Sequence, residues 1–414
     1  MAYVPVTEST TLALALLVLG WAIFSGALAR HNLSGPLVFA VGGYLLANPD
    51  WGPLDIHVDA PSVHVVAEVT LALVLFSDAS RVNVTELRRD AWLPVRLLAI
   101  GLPLSVAFGS LLAAALFDVP WALAGFIGAA LAPTDAALSA QVIDDERIPL
   151  RLRRVLNVES GLNDGIATPI VTFMLAVAAS QIGVDRHSAS YDAGQALREL
   201  GGGVAVGLIV GFAGAALLVI ASRHQWIAPG GHRLATLAVA IASFSAALAI
   251  DSNGFIAAFV AGITFGAWLN RSKEAAKEVR ELPELGGELL ALVVWFLFGA
   301  TLVHVAFDVL DVPLVVYAVA SLTIIRALPV ALCLARAGLD RPSVAFIAWF
   351  GPRGLASIVF ALLAVEELGH TSPPVQTAVA AVSLTVLLSV VLHGVSAGPF
   401  GRRYVQIEHR RAKS

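Results

Sequence analysis

Long apolar stretches alternate with short polar ones along the whole chain. An apolar run of about 20 residues predicts a helix that crosses a bilayer. Thirteen such runs are present, at 8–29, 34–48, 62–80, 92–116, 120–142, 151–181, 194–222, 231–250, 252–270, 285–304, 312–336, 342–368 and 374–397. The pattern predicts an all-α polytopic membrane protein with about 13 transmembrane helices, numbered here in chain order.

Charged residues fall mainly between the predicted helices, and their sign predicts the orientation. If successive helices alternate in direction, one set of connections holds most of the basic residues, whereas the opposite set holds only Arg186 and Arg198. Because cytoplasmic connections carry the excess of Lys and Arg, we expect the N-terminus outside and the C-terminus in the cytoplasm. Residues 1–400 form a single transmembrane unit in this interpretation, and 401–414 form a short basic cytoplasmic tail.

Composition supports the membrane assignment and narrows the partners. Of all residues, 58% are hydrophobic and only 14% are charged, whereas about a quarter are charged in soluble proteins. The net charge of −4 carries no basic signature, so no nucleic-acid partner is expected. The single cysteine, Cys333, excludes an intramolecular disulfide and a thiolate metal cluster. We expect a multi-pass protein of the cell (inner) membrane.

Helix 6 contains a cluster of polar residues within a largely apolar span. Ser160 and Asp164 share one helix face, and Glu159 and Asn163 form a second pair of the same spacing. Asp164 lies ten residues after Arg154, roughly 15 Å along the helix, or about half of the hydrocarbon thickness. A carboxylate at that depth costs about 2.5–3.5 kcal/mol unless it is paired, hydrated or protonated, which points to a functional role.

Two predicted helices contain signals for an interruption. Helix 5 contains Ala132-Pro133-Thr134-Asp135, and helix 12 contains Gly351-Pro352-Arg353-Gly354. Proline removes a backbone hydrogen bond and glycine loosens the helix, so both helices are expected to unwind within the membrane. They are seven helices apart, an odd number, so equivalent helices would run in opposite directions. This arrangement predicts two inverted-topology repeats with broken, crossing helices at a transport site.

The polar residues at these positions favour a hard monovalent cation. Asp164 and Asp135 supply carboxylate oxygens, to which Ser160 and the Thr134 carbonyl freed by unwinding add two more. Oxygen ligands suit such ions, whereas zinc or copper would require histidine or thiolate. Because burial disfavours a charged carboxylate, a proton and a cation compete for Asp164. Competition for one site that is exposed alternately to the two sides is sufficient for antiport.

The remaining buried polar residues have structural roles in this interpretation. Asn163 joins two helices without adding a second titrating charge, and one proton-cycling carboxylate favours electroneutral one-for-one exchange. Glu159 stays ionised beside a buried arginine. Arg326 is the preferred partner because its neighbours offer nothing else, and Arg353 is the second choice. Two buried cations and two buried anions at one depth are expected to neutralise one another.

Together these motifs resemble the monovalent cation:proton antiporter-1 family of sodium/proton antiporters. The resemblance rests on Glu159-Ser160-Gly161-Leu162-Asn163-Asp164, on Pro133-Thr134-Asp135, on Gly254-Phe255-Ile256-Ala257-Ala258-Phe259 and on Arg353-Gly354, and it spans essentially the whole chain.

The resemblance implies a transporter, not an enzyme, that needs no cofactor. It implies a mobile core domain around helices 3–6 and 10–13 and a dimerisation domain around helices 1–2 and 7–9, assembled as a homodimer in the lipid bilayer. It also implies Na⁺ ligation by Asp164, Asp135, Ser160 and Thr134, with Glu159 among the cation- and proton-binding residues. A bridge from Glu159 to an arginine and elevator-like alternating access are implied as well. Asn163 resembles the electroneutral branch of the family.

The predicted function is exchange of Na⁺ or Li⁺ for H⁺ across the membrane. Exchange of K⁺ for H⁺ on the same fold is the alternative within transport. An intramembrane aspartyl hydrolase would also place two aspartates in mid-membrane, but it leaves Asn163 and the buried arginines unexplained. A channel would pass ions without coupling to protons.

Three further polar residues are given less specific predictions. Asp78 is expected at the cytoplasmic end of helix 3 as a solvated interfacial charge, and Glu68 lies deeper in that helix. His393 is expected near a helix end, at the interface.

Overall fold

The fold is helical throughout the part of the chain that the structure describes. The computed structural model describes residues 8–31, 33–58, 60–82, 92–135, 137–139, 142, 145–184, 193–228, 230–269 and 273–411, and these contain no strand. Within them, nine helices are long and apolar enough to cross a membrane, and α2, α5 and α9 are shorter apolar helices. The helices are α1 (Glu8–Arg30), α2 (Gly35–Leu46), α3 (Pro61–Arg81), α4 (Trp92–Leu116), α5 (Trp121–Ala130), α6 (Leu150–Ile182), α7 (Ala193–Arg223), α8 (Gly231–Leu248), α9 (Gly254–Leu269), α10 (Lys273–Leu297, continued by a π-helical turn and Val303–Asp308), α11a (Val312–Leu322), α11b (Ile324–Cys333), α12a (Arg341–Trp349), α12b (Leu355–Leu368) and α13 (Pro373–Arg411).

Each of the thirteen predicted segments corresponds to a helix or to a pair of half-helices. The all-helical prediction is confirmed, and the division at Asp251 lies between the end of α8 and the start of α9. Apolar runs long enough to span a bilayer specify these helices strongly, because a backbone in hydrocarbon must satisfy its own hydrogen bonds. The inverted-repeat topology, the domain division and the orientation stay predictions.

The two predicted interruptions are present. α5 ends at Ala130, and 131–135 are irregular, whereas helix had been expected to continue to residue 142. A 3₁₀ turn follows at Ala137–Ser139, and part of the predicted remainder lies outside the described residues. Helix 12 divides into α12a and α12b around an irregular segment at 350–354. Each irregular segment contains a proline, which cannot donate to the helix.

Helix 11 is also divided, which the sequence did not indicate. Thr323, between α11a and α11b, has φ −117° and ψ −88°, outside the helical region. Its hydroxyl donates to the Val319 carbonyl at 2.6 Å, a bond that competes with the backbone ladder and bends helices. The break turns Arg326, in the first turn of α11b, towards the centre of the protein, where its side chain is buried.

The C-terminal tail differs from the prediction. The apolar run ends at 397, but α13 continues to Arg411 and includes most of the segment predicted as a separate tail. Tyr404 anchors this extension, because its ring packs against Phe346 with centroids 4.6 Å apart. Its hydroxyl also lies 2.9 Å from the Ser343 hydroxyl. Packing against α12a therefore extends the helix beyond its apolar part.

α6, which carries the polar motif, lies among four other helices. It packs against α5, α12b, α3 and α9. The α9–α3 contact is close because glycines line it: a Cβ on Gly262 or Gly266 would overlap the α3 backbone. Small residues that let helix backbones approach are the usual means of packing helices in membranes. The polar face of α6 is thereby held opposite the breaks in α5 and α12.

Candidate functional site

The two broken helices meet directly at their interruptions. The Asp135 amide donates to the Pro352 carbonyl at 2.8 Å. One turn away on either side, the Ser357 hydroxyl donates to the Ala130 carbonyl at 2.6 Å. Each break supplies partners for backbone groups that the other has left without a helical partner. The pair therefore forms one hydrogen-bonded crossing.

Asp135 is held by backbone donors on both carboxylate oxygens. Oδ1 accepts from the Ala137 amide at 2.8 Å, and Oδ2 accepts from the Leu355 amide at 3.0 Å. Leu355 is the first residue of α12b, so this carboxylate lies at a helix N-terminus, where negative charge is favoured. A Cβ on Gly354 would overlap the Asp135 carboxylate, so this position requires glycine.

Arg353 binds carbonyl groups at the crossing. Its side chain is fully buried, and Nη1 donates to the Ala132 and Pro133 carbonyls at 3.1 and 3.2 Å. Nη2 lies 3.5 Å from the Ser321 carbonyl, next to the break in helix 11. The expectation that the buried cations would be neutralised by the buried carboxylates is therefore wrong for Arg353, whose partners are carbonyls released where helices unwind.

Glu159 and Arg326 form a two-pronged ion pair. Nη1 donates to Oε1 at 2.5 Å, and Nη2 donates to Oε2 at 2.9 Å. Both side chains are about 4% exposed. Arg326 is the partner that the sequence favoured. Both carboxylate oxygens of Glu159 accept from Arg326. Of the two roles predicted for Glu159, structural and cation-binding, the geometry therefore favours the structural one.

Ser160, Asn163 and Thr134 form a buried polar cluster between α6 and the α5 break. The Ser160 hydroxyl donates to the Thr134 carbonyl at 2.5 Å. The Asn163 Nδ2 donates to the Thr134 hydroxyl at 2.7 Å and faces its carbonyl at 3.4 Å. Asn163 Oδ1 is buried and accepts no hydrogen bond from the described residues. The Ser160 hydroxyl donates one bond and keeps its lone pairs, and the Thr134 hydroxyl accepts one bond and keeps a further lone pair, so both retain capacity to bind a cation.

Among the described residues, Asp164 has neither a paired cation nor a hydrogen-bond donor on its carboxylate, whereas Asp135 is held by backbone amides. It is half-buried on α6, one turn beyond Ser160. Its carboxylate lies close enough to those of Asp135 and Asp78 for mutual repulsion. Such a group is stabilised when it binds a proton or a cation. The geometry thus separates a neutralised pair, Glu159 with Arg326, from an uncompensated carboxylate.

Asp78 lies nearer to this region than the sequence indicated. It was expected to be a solvated interfacial charge, but it is half-buried near the end of α3 and within electrostatic reach of Asp135. α3 approaches α6 here, because a Cβ on Gly161 would contact Asp78. The apolar residues that precede Asp78 were the available signal, together with its position one turn inside Arg81.

Two histidines also occupy unexpected positions. His393 was predicted to be interfacial but is 2% exposed within α13, so that prediction is wrong. His64, near the start of α3, is buried, with Nδ1 3.6 Å from a carboxylate oxygen of Glu366 on α12b. Glu68, one turn further along α3, is electrostatically coupled to Glu366 and Glu367. Acidic side chains thus also gather at the end of α3 opposite Asp78.

The oxygen-rich character of the region suits an alkali cation as cargo. The hydroxyls of Ser160 and Thr134 and the Thr134 carbonyl lie together, and the carboxylates of Asp164 and Asp135 are electrostatically coupled. Among the described residues, no group of three or more His, Cys, Asp or Glu side chains could by itself hold a metal ion. Hard oxygen ligands without imidazole or thiolate are the donor set of alkali and alkaline-earth ions.

The chain is similar in sequence to known antiporters. It is 26% identical over 365 residues to the K(+)/H(+) antiporter NhaP2 of Shewanella sp. (strain ANA-3), covering 87% of this chain and 61% of that protein. The chain therefore spans less than two thirds of the length of these NhaP2 relatives. It is 28% identical over 354 residues to the Na(+)/H(+) antiporter NhaP of Pseudomonas aeruginosa, covering 80% of this chain and 79% of the relative.

The fold is that of a solved antiporter. The structure of the sodium proton antiporter MjNhaP1 from Methanocaldococcus jannaschii at pH 8 superposes with a TM-score of 0.76 at 20% identity, covering 95% of this chain and 97% of the other. Residues 13–403 match the family described as sodium/hydrogen exchanger, transmembrane. With its apolar helices, this chain is a multi-pass membrane protein that belongs to the sodium/hydrogen exchanger family.

Proposed function

We propose that the chain is a secondary antiporter that exchanges Na⁺ or Li⁺ for H⁺, one for one, with both ions competing for Asp164. The observation that carries the proposal is the division of charge on α6. Glu159 is neutralised by Arg326, whereas Asp164 pairs with no cation among the described residues and is electrostatically coupled to Asp135 and Asp78. One uncompensated carboxylate in a poorly solvated position is stabilised by either ion, and exchange follows when it opens alternately to the two sides.

The proposed ligands of the cation are Asp164, Asp135, Ser160 and Thr134. Ser160 donates to the Thr134 carbonyl and Asn163 donates to the Thr134 hydroxyl at the α5 break, so a bound ion would meet oxygens that are held in place. Asn163 positions Thr134 and adds no titrating group, which favours an electroneutral cycle. Glu159, Arg326 and Arg353 keep the surrounding backbone in position.

The choice between sodium and potassium is open to experiment. The relatives include proteins named as K(+)/H(+) antiporters and one named as a Na(+)/H(+) antiporter. Purified protein in liposomes with an internal pH dye, challenged with Na⁺, Li⁺ and K⁺ over a range of concentrations, separates these cases. We expect proton release to saturate at the lowest concentration with Na⁺ or Li⁺. A lower half-saturation with K⁺ would establish the alternative, and the absence of any cation-dependent proton flux would overturn the proposal.

The hydrolase alternative fits the site less well. Aspartyl hydrolysis requires two carboxylates that share a proton and activate a water. Both oxygens of Asp135 accept from backbone amides, which fixes this carboxylate as an acceptor. Cleavage of a peptide by the same purified protein, lost in Asp164→Asn, would reverse the ranking. Single-channel currents without proton coupling would indicate a channel.

Assembly and domain motion belong to the proposal as well. We infer a homodimer with a core domain around helices 3–6 and 10–13 and a dimerisation domain around helices 1–2 and 7–9. This division is the one that the resemblance of the sequence motifs to the family implies. The measured mass of the protein in a lipid nanodisc tests the dimer, and we expect twice the mass of one chain.

A further inference from the structure

One face of α13 carries two buried polar residues that reach the break in helix 12. Ser389 is fully buried and His393 is 2% exposed. They are four residues apart and so lie one above the other on the helix. Both point at backbone groups of the segment between α12a and α12b. Neither residue belongs to the proposed cation ligands.

Ser389 stabilises the side of the break that leads into α12b. Its hydroxyl oxygen accepts from the main-chain amide of Arg353 at 2.7 Å. Arg353 lies in the irregular segment, so its amide has no helical partner of its own. A buried amide without an acceptor costs free energy. Ser389 therefore stabilises the conformation in which the chain enters α12b.

His393 stabilises the side of the break at the end of α12a. Its Nε2 lies 3.0 Å from the carbonyl of Trp349, the last residue of α12a. Its Nδ1 lies 3.3 Å from the Ser389 hydroxyl and 2.9 Å from the Ser389 carbonyl. The Trp349 carbonyl can only accept, so Nε2 donates to it; Nδ1 donates to the Ser389 carbonyl when it carries a proton and accepts the Ser389 hydroxyl proton when it does not. The contacts run from the Arg353 amide through Ser389 and His393 to the Trp349 carbonyl.

We propose that Ser389 and His393 are positioning residues for the cation site. Together they form a strap, defined by these two side chains, that joins the end of α12a to the start of α12b. The strap affects the cation site through two groups close to the Arg353 amide. The Leu355 amide, two residues on, donates to Asp135, and the Arg353 side chain donates to the Pro133 carbonyl, next to Thr134. This inference rests on the proposed function.

The strap makes bonds that an ordinary buried serine on the same helix does not make. Ser383 is equally buried on the same helix, but its hydroxyl donates only to the Val379 carbonyl one turn back. Its removal leaves no unpaired backbone amide, because the carbonyl keeps its helical bond. Ser383→Ala is therefore the matched control for Ser389→Ala.

Transport kinetics separate positioning from folding. In proteoliposomes, we expect Ser389→Ala and His393→Ala each to raise the half-saturating cation concentration by about ten-fold, the effect of one unmade buried bond. The maximal rate per folded protein should change far less. The double variant should have about the same half-saturating cation concentration as the more impaired single variant, because the two side chains act as a unit. Ser383→Ala should match the wild type. Unchanged half-saturation in both single variants would overturn the proposal.

A second measurement does not depend on transport. Hydrogen–deuterium exchange of the peptide that contains 349–357 should be faster in Ser389→Ala than in the wild type and unchanged in Ser383→Ala. If His393→Ala does not fold, His393→Leu takes its place, because it removes the donor to Trp349 and keeps more of the side-chain volume. A wild type that exchanges no ions defeats the proposed function but leaves this result to decide the strap. Equal deuterium uptake in wild type and Ser389→Ala defeats the strap even where exchange is intact.

Discussion

At the scale of single residues, the site distinguishes charges that are neutralised from one that is not. Glu159 and Arg326 form an ion pair, Arg353 donates to carbonyls, and Asp164 is electrostatically coupled to its acidic neighbours. The Glu159–Arg326 pairing could be predicted because Arg326 is an isolated cation in an apolar stretch and requires a buried anion. The partners of Arg353 could not, because backbone carbonyls leave no mark in a sequence until the unwound segments are placed.

Removal of the Asp164 charge should abolish exchange. In Asp164→Asn the side chain keeps its shape but can no longer alternate between a proton and a cation, so cation-dependent proton flux should fall to the background of empty liposomes. Asp145→Asn is the control. Asp145 pairs with Arg147 in the connection before α6, at 2.8 Å, and this pairing lowers the pKa of its carboxyl. Exchange at the native rate in Asp164→Asn would disprove the mechanism.

Breaking the buried ion pair should reduce stability more than removing it. Glu159→Gln leaves the Arg326 guanidinium buried without its counter-ion, which costs about 3–5 kcal/mol. Replacing both residues, as in Glu159→Leu with Arg326→Met, should recover most of that loss. The difference in stability is measured by heating the proteins in detergent and determining the fraction that remains folded by size-exclusion chromatography. A double variant that is less stable than Glu159→Gln would contradict this account of the pair.

At the scale of elements, the fold depends on where helices stop. The interruptions in α5 and helix 12 could be predicted, because proline and glycine interrupt helices for reasons that are local to the chain. The division of helix 11 at Thr323 and the extension of α13 could not. Thr323 is an ordinary residue in an apolar helix, and the extension depends on Tyr404 packing against Phe346. Contacts between distant segments decide such ends.

Adding one methyl group at the crossing should disable the site. In Gly354→Ala the new Cβ would overlap the Asp135 carboxylate, so either Asp135 or the start of α12b must move. We expect the half-saturating cation concentration to rise by about ten-fold or more, since the overlap cannot be relieved without loss of the Leu355–Asp135 bond.

Gly201→Ala is the matched control for this variant. A Cβ at Gly201, on α7, meets no atom within 4 Å, and alanine favours a helix. Fluorescence-detected chromatography establishes that both variants fold, and liposome assays give their kinetics. Native cation affinity in Gly354→Ala would show that the close approach of Gly354 to Asp135 has no effect on cation binding.

At the scale of the whole molecule, one competitive site predicts a specific response to pH and voltage. Acidification should raise the half-saturating cation concentration and leave the maximal rate little changed, because protons displace the cation from Asp164. A potential imposed with valinomycin should not alter the initial rate if one cation leaves for each proton. A maximal rate that changes with pH while affinity stays constant, or a rate that follows the potential, would contradict the one-for-one cycle.

The hydrogen bonds that join the two breaks also limit how the protein can move. Asp135 is bonded to Pro352 and Leu355, and Ser357 is bonded to Ala130, so a gap opened between α5 and α12b would strip partners from buried groups on both. If the chain exchanges ions as proposed, they cannot be released by parting these two helices. We expect the crossing to move as one unit with its bound ion, and the surfaces that slide to be those where apolar side chains meet the surrounding helices.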